Sequence, residues 1–227
     1  MSTLQEQLAR QFGLSKPKPE KAPPVALPPI LPGCQTLSEP AARAWVEALD
    51  EPPPNDEVEG VFDPETWLFP STQYLKGDVA VDHLTMPAEG ANLVIEGDLT
   101  VAGLLVLPFR SGGLLVKGTL SARHIVTTAE LAVVGELVAE TFYGNCTNYC
   151  TNVCGKATVQ TLVCAKAHYF CFWGGHALGS VIDLDGDIPN LEAQGTPEAL
   201  TQALLEAPHS EALAADLLRR DGTLRNK

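Results

Sequence analysis

The stretch Ile95–Gly103, with the sequence IEGDLTVAG, contains the unit that decides the fold of this chain. Its first glycine, Gly97, has apolar residues two positions before it and two and four positions after it. The unit recurs at intervals of 20, 21, 17 and 20 residues, on Gly77, Gly97, Gly118, Gly135 and, in a weaker copy, Gly155. Such self-similarity at a nearly fixed interval is typical of stacked structural repeats.

Aligning the five copies on their glycine produces columns that hold only apolar residues. Two positions before the glycine stand Leu75, Ile95, Val116, Val133 and Val153. Two and four positions after it stand Val79, Leu99, Leu120, Leu137 and Ala157, then Val81, Val101, Ala122, Ala139 and Val159. The columns between them are mostly polar, so apolar residues alternate with a period of two, which predicts strands with one buried face. A further apolar column, seven positions after the glycine, predicts a second strand in each repeat.

These strands recur too closely for a βαβ sheet, because its parallel crossovers need longer connections. Coils of a β-solenoid fit, since each coil places its inward residues directly over those of the coil before it. A β-sandwich is the main alternative, but its antiparallel neighbours have no reason to keep identical columns. We therefore predict an all-β solenoid, a parallel β-helix with about 20 residues per coil, over residues 73–188.

The flanks of the predicted solenoid divide into four segments. Residues 1–14 have the pattern of a short tethered helix, and residues 15–35 form a proline-rich linker. Residues 36–72 and 189–227 are predicted to be helical caps, because a solenoid exposes unpaired strand edges at both ends. We expect the first cap to pack on the end of the coils.

Composition excludes several classes of function. The 227 residues carry a net charge of −13, whereas binding to nucleic-acid phosphates needs a basic face. No apolar run is long enough to cross a membrane, and no signal segment opens the chain, so we expect a cytoplasmic location and no membrane partner. A catalytic groove along the coils would need a continuous row of charged groups. The outward acidic row Asp78, Asp98 and Glu136 is instead interrupted by Thr119. We expect no enzymatic activity and no cofactor.

The coils IEGDLTVAG (95–103) and VKGTLSA (116–122) resemble those of the bactofilin-like, polymer-forming β-helix proteins of bacteria. The resemblance covers about residues 73–182. It implies a cytoplasmic scaffold that assembles through the ends of its coils. The substantial flanks on both sides of the coils depart from that pattern.

Cysteines cluster in CTNYCTNVC (146–154) and just after it. Positions four apart on a strand lie about 13 Å from each other, too far to share one zinc ion, although a loop would bring them closer. Free cysteine is also a common core residue. A metal- or thiol-dependent protein therefore stays as an alternative, with Cys146, Cys150, Cys171 and His176 as candidate ligands.

Residues 141–182 contain only two charged side chains, Lys156 and Lys166, and half of the fourteen aromatic residues of the chain. Depleted charge with enriched Tyr, Trp and Phe is typical of the core of an interface. The alternative is that the C-terminal helices cover this face. The predicted partner-binding residues are Tyr143, Tyr149, Tyr169, Phe170, Phe172 and Trp173.

These observations predict a non-enzymatic solenoid that docks another protein with a basic surface. A toxin-neutralising, immunity-like protein fits, since sequestering a basic enzyme needs acidity and no chemistry. The alternative is a self-assembling scaffold of the bactofilin-like kind, which associates through its coil ends.

Overall fold

The computed structural model describes residues 29–49, 71–87, 91–109, 111–145, 149–183 and 191. They form one helix, α1 (Glu39–Glu47), and fourteen strands: β1 (Gln35–Leu37), β2 (Ser71–Lys76), β3 (Val79–Val81), β4 (Leu84–Thr85), β5 (Ala91–Glu96), β6 (Leu99–Leu107), β7 (Leu114–Val116), β8 (Leu120–Thr127), β9 (Leu131–Val133), β10 (Leu137–Asn145), β11 (Cys150–Val153), β12 (Ala157–Ala165), β13 (Tyr169–Phe172) and β14 (His176–Asp183). The predicted helix 1–14 and nearly all of the predicted cap 189–227 lie outside the described residues.

The strands form two seven-stranded sheets. Sheet A has the order β1-β2-β5-β7-β9-β11-β13, and sheet B has the order β14-β12-β10-β8-β6-β3, with β4 also beside β6. Successive strands within each sheet run parallel, except that β1 is antiparallel to β2. Each coil therefore contributes strands to both sheets in turn, which confirms the predicted β-solenoid and excludes a sandwich of antiparallel neighbours.

The strand register reproduces the predicted apolar columns beside the glycine. In the column seven positions after it, a register shift between Val101 and Leu104 places Leu105 instead of the predicted Leu104 beside Ile125. Ile95 pairs with Leu75 on one side and with Val116 on the other, and Val133 pairs with Val116 and Val153. In sheet B the column of Leu99, Leu120 and Leu137 is fully buried. The inward residues of both sheets thus form one continuous apolar core, and removing such side chains from water is the main term that stabilises the fold.

A sixth coil follows the five that the sequence predicts. Strand β13 pairs with β11, so that Phe172 continues the column of Val153, and β14 pairs with β12. Its glycine, Gly174, stands 19 residues after Gly155. This sixth repeat does not fit the apolar columns of the sequence, because His176 occupies the position two after its glycine. We number the coils 1 to 6 by their glycines, from Gly77 to Gly174.

Close packing between coils requires glycine at the turn from sheet A to sheet B. A Cβ added at Gly97 would lie 2.5 Å from the carbonyl carbon of Gly77, and one added at Gly135 would lie 2.5 Å from the carbonyl oxygen of Gly118. The backbone N–H of Gly118 donates to the carbonyl of Gly97 at 2.9 Å. The glycines therefore stack as a ladder whose spacing leaves no room for a side chain.

Polar side chains beside this ladder connect the coils. The carboxylate of Asp78 accepts the backbone N–H of Asp98 at 2.9 Å, and the carboxylate of Asp98 accepts that of Thr119 at 2.7 Å. Asp78 and Asp98, two residues of the outward acidic row, thus each accept a backbone N–H from the turn of the next coil. On the other side of the glycines, Glu96 pairs with Lys76 at 4.0 Å and with Lys117 at 3.6 Å, an exposed ladder of alternating charge.

The N-terminal end of the core is closed by residues 29–37. Leu31 is buried in the core and the backbone N–H of Ile30 donates to the side chain of Gln73, so the cap begins inside the segment predicted to be a linker. Strand β1 then covers the edge of β2. At the other end, Leu191 packs against the same core.

Helix α1 lies on the outer face of sheet A and not on the end of the coils as expected. Val46 and Leu49 pack against the outward side chains Val94, Leu115 and Ala132. This contact gives the helix its buried side. With nine residues, α1 is far too short and too polar to cross a membrane, and it is the one helix among the described residues.

Candidate functional site

Two of the predicted partner-binding aromatics are interior residues, and this part of the prediction is wrong. Phe170 is 1% exposed and stacks edge-on against Phe142, with ring centroids 5.3 Å apart. Tyr143 is 3% exposed, and its hydroxyl oxygen accepts a hydrogen bond from the amide of Asn145 at 2.9 Å. Phe170 belongs to the core within the coils, and Tyr143 is buried on the other side of β10 from the inward Phe142, so neither ring can anchor a partner on the surface.

Phe172 and Trp173 are half-buried. Phe172 points into the core of coil 6, where it lies 5.9 Å from the ring of Phe170. Trp173 follows it on the outward side, and its indole nitrogen is shielded from solvent without a hydrogen-bond partner. Neither ring offers a fully accessible face, so these two residues form at most the margin of a binding surface.

Tyr149 and Tyr169 do lie at the surface, where the chain passes from sheet B back to sheet A. Tyr169 is 37% exposed, and Tyr149 is half-buried just before β11. A third aromatic residue, Phe109, is 53% exposed and contacts Tyr149, with ring centroids 6.4 Å apart. We call Phe109, Tyr149 and Tyr169 the aromatic corner. It contains two of the three large apolar side chains that are exposed among the described residues, the third being Val138.

The two rings that meet in the aromatic corner come from connections on either side of a short one. Phe109 belongs to coil 2 and Tyr149 follows coil 4, so a whole coil separates them along the axis. The connection that leaves coil 3, between theirs, has only three residues, Thr128–Glu130. In the sequence, this short connection is visible as the 17-residue interval between Gly118 and Gly135. The interval by itself does not indicate that Phe109 meets Tyr149.

Below the aromatic corner, the side chain of Glu130 binds the first residue of β11. One carboxylate oxygen accepts the backbone N–H of Cys150 at 3.2 Å, and the other accepts its thiol at 3.0 Å. The amide of Asn152 donates to the same carboxylate at 3.4 Å and to the Cys150 sulfur at 3.0 Å. Cys171 follows on the next strand, paired in register with Asn152.

Burial sets the protonation of this cluster. It raises the pKa of the Glu130 carboxyl above its ordinary value, against the opposing effect of the hydrogen bonds from Cys150 and Asn152. Burial, followed by the nearby Glu130 carboxylate, raises the pKa of the Cys171 thiol to about 11 and that of Cys150 further still. Thiols with raised pKa values are poor nucleophiles, because the thiolate is the reactive form.

The candidate metal ligands of the sequence do not converge. Cys150 and Cys171 stand on adjacent strands of sheet A, His176 is on sheet B with its ring 5.9 Å from Phe172, and Cys146 lies outside the described residues. Within the described part of the chain, no three His, Cys, Asp or Glu side chains are placed to share a metal ion. Cys150 is engaged with Glu130 instead.

The side of the solenoid that follows the glycine ladder carries most of the exposed charge. A shallow groove there is lined by outward residues of coils 2 to 5, among them Thr100, Ser121, Val138 and Thr158. Arg123 and Glu140 pair across it at 3.1 Å. The groove has no convergent set of polar groups such as a small-molecule site uses to orient its ligand.

Comparison with known proteins adds no relative to this description. No family model, no curated protein and no solved structure matches the chain.

Proposed function

We propose that this protein is a non-enzymatic binding solenoid that docks a basic protein at its aromatic corner. The observation that carries the proposal is the exposure of Phe109 and Tyr169, 53% and 37%, whereas the other large apolar groups among the described residues are mostly buried. Aromatic side chains of this kind dominate the affinity of protein interfaces, where they act as anchors.

The backbone beside two of these rings is paired in a parallel ladder. Tyr169 begins β13 and is paired with Cys150 in a parallel ladder, while Tyr149 is held next to the same residue. Phe109 packs against Tyr149 edge-on, so the two rings limit each other's motion. A preorganised surface loses little conformational entropy on binding, which leaves more of the contact energy for affinity.

Charge supports the choice of partner. The net charge of −13 attracts a basic protein over long distances and speeds its encounter, in a way that salt suppresses. A toxin-neutralising, immunity-like protein is the kind that we favour, because holding a basic enzyme in an inactive complex needs acidity and a rigid surface but no catalytic group.

The experiment compares three forms of the tagged full-length chain as baits in the host cell. They are the wild type, the triple variant Phe109→Ser/Tyr149→Ser/Tyr169→Ser, and Val138→Ser, which removes an exposed apolar group away from the aromatic corner. We expect a stoichiometric basic partner with the wild type and with Val138→Ser, and a recovery about tenfold lower or less with the triple variant, since even one anchor contributes over 1 kcal/mol.

Equal recovery by the triple variant, or the absence of any stoichiometric partner, contradicts the proposal. Circular dichroism and the melting temperature first establish that all three baits are folded. For the toxin-neutralising role, the partner should stop growth when it is produced alone. Growth should return when the wild-type chain is produced with it, and should not return with the triple variant.

Self-assembly is the second candidate function, and the last coil favours it. Strands β13 and β14 are the last of their sheets within the described part of the chain, with His176 and Ala177 exposed. At the opposite end, however, antiparallel β1 occupies the edge of β2 on which a parallel copy would stack. We expect light scattering after size-exclusion chromatography to give one discrete mass. Filaments or a ladder of masses would instead support the scaffold.

A further inference from the structure

Glu130 is placed where it can control the aromatic corner. It is the last residue of the short connection Thr128–Glu130, and its carboxylate binds both the backbone and the thiol of Cys150, the residue after Tyr149. The contact fixes the point at which the chain enters β11. Any change in this contact therefore reaches Tyr149 through a single peptide unit.

The same connection is made two coils earlier without a charge. The side-chain oxygen of Asn92 accepts the backbone N–H of Gly113 at 2.8 Å, and Asn92 stands five positions before Gly97 as Glu130 stands five before Gly135. An amide thus suffices to join one coil to the next at this position. A carboxyl group in its place adds the ability to gain and lose a proton.

We propose that Glu130 is a positioning residue for the aromatic corner, which holds Tyr149 in place by its bonds to Cys150 and makes that hold depend on pH. The inference rests on the proposed function, because it assigns a role within the same corner. It concerns the geometry of the unbound protein, so it can be tested without any partner.

The groups around Glu130 determine the direction of the effect. Cys150 and Asn152 donate to the carboxylate, and Cys171 faces it from β13; these groups are neutral near pH 7, since both thiols have raised pKa values. Burial raises the pKa of Glu130, so the folded state favours the protonated form. The protonated carboxyl group of Glu130 therefore stabilises the folded state. This contribution to the free energy of unfolding is present in full below the ordinary pKa of a glutamate and is lost as pH rises through the raised pKa of Glu130.

The test follows two signals by nuclear magnetic resonance between about pH 4 and pH 9: the ring of Tyr149 and the exchange protection of the Cys150 amide. For the wild type we expect both to change with one midpoint, above the ordinary pKa of glutamate. Because an N–H donates more strongly to a carboxylate than to a protonated carboxyl group, the protection of the Cys150 amide should be about tenfold lower below this midpoint than above it. The control Asn92→Ala should keep the same midpoint, because it leaves the titrating carboxyl group of Glu130 in place.

Two variants separate positioning from mere structural support. Glu130→Gln keeps an acceptor without a titrating proton, so we expect the Tyr149 signal of the folded corner at every pH and no midpoint. Glu130→Ala removes the acceptor, and the Tyr149 ring should shift at every pH. If Glu130→Ala does not fold, the pH profiles of the wild type and Glu130→Gln still decide the question.

A midpoint that survives in Glu130→Gln would overturn the proposal, because another group would then be titrating. An unchanged Tyr149 ring in Glu130→Ala would overturn it as well. These outcomes are distinct from a failure of the proposed function. The corner can respond to Glu130 as described even if the triple variant proves to bind its partner normally.

Discussion

Coils 2 to 4 and coils 5 and 6 share one backbone path but fill it differently. In coils 2 to 4 the inward positions of sheet A are occupied by aliphatic residues alone, such as Leu114 and Leu131, and all of them are buried. In coils 5 and 6 the same column continues with Thr151 and Phe170. Polar and aromatic groups thus replace aliphatic ones toward the C-terminal end.

The last coils compensate for these groups with specific contacts. The hydroxyl of Thr151 is hydrogen-bonded to the Nε2 atom of fully buried His168 at 3.0 Å. The His168 ring contacts Phe170 edge-on, with ring centroids 4.8 Å apart. Both rings lie so close to Gly144 that a Cβ there would collide with them. The first coils are therefore held by the burial of interchangeable aliphatic groups, and the last coils by a few particular partners.

The largest effect is expected in the middle of the solenoid. Leu131→Ala removes a fully buried side chain from coil 4, whose neighbours on both sides are fixed and cannot close the cavity. We expect the free energy of unfolding to fall by about 3–4 kcal/mol, as measured by chemical denaturation. A loss below about 1 kcal/mol would mean that the middle coils rearrange as easily as the ends.

Glycine substitution should distinguish the middle from the end. In both Gly135→Ala and Gly174→Ala the new Cβ would lie 2.5 Å from the backbone of the preceding glycine. Coil 4 is fixed by coils on both sides, so we expect Gly135→Ala to cost about 3 kcal/mol, the upper end for overpacking. Gly174→Ala should cost about half as much, since coil 6 ends both sheets. Equal melting temperatures would contradict this difference.

Loss of the buried polar contact in coil 5 should lower the free energy of unfolding by less than the loss of a buried aliphatic side chain, but by more than a substitution at the surface. Thr151→Val keeps the shape and removes the hydroxyl that binds His168. We expect a loss of about 1–2 kcal/mol in denaturation experiments, the cost of leaving a buried polar atom without this partner. The control Thr158→Val, at an exposed position of coil 5, should change stability by less than about 0.5 kcal/mol.

The smallest effect on stability is expected at the aromatic corner. Tyr169 is an exposed residue at the start of the last strand of sheet A, so Tyr169→Ser should change the melting temperature by no more than about 2 °C. The comparison with Leu131→Ala separates residues that hold the fold from residues available for binding. A large loss would show that the aromatic corner is part of the core.

The fold could be predicted from the sequence because its inward columns are strictly apolar where the coils are aliphatic. The register of Ile95 with Val116 follows from period-two alternation and the position of the glycine alone. The same criterion misses coil 6, where His176 stands in an apolar column and remains exposed at the end of the stack. It also misses the position of α1, because nothing in the helix specifies which face of a sheet it covers.

The aromatic corner could be predicted only in part. Alternation indicates that some of the rings in HYFCFW (168–173) point outward, and Tyr169 does, but it does not indicate that Phe170 fills the interior beside His168. Phe109 was out of reach, because its contact with Tyr149 joins two connections that a whole coil separates. Contacts between side chains from different coils are a property of the three-dimensional stack.

The two ends of each coil differ in how strictly their length is set. From the inward residue two before the glycine to the one two after it, every coil has the same length. The intervals of 17 to 21 residues arise mainly in the return connections and, in coil 2, also from a bulge between Val101 and Leu104. Insertions and deletions can therefore accumulate in the returns while the stack above and below stays in phase. A scaffold of this kind allows new recognition loops to be exchanged at one edge, by evolution or by grafting, without redesign of its interior.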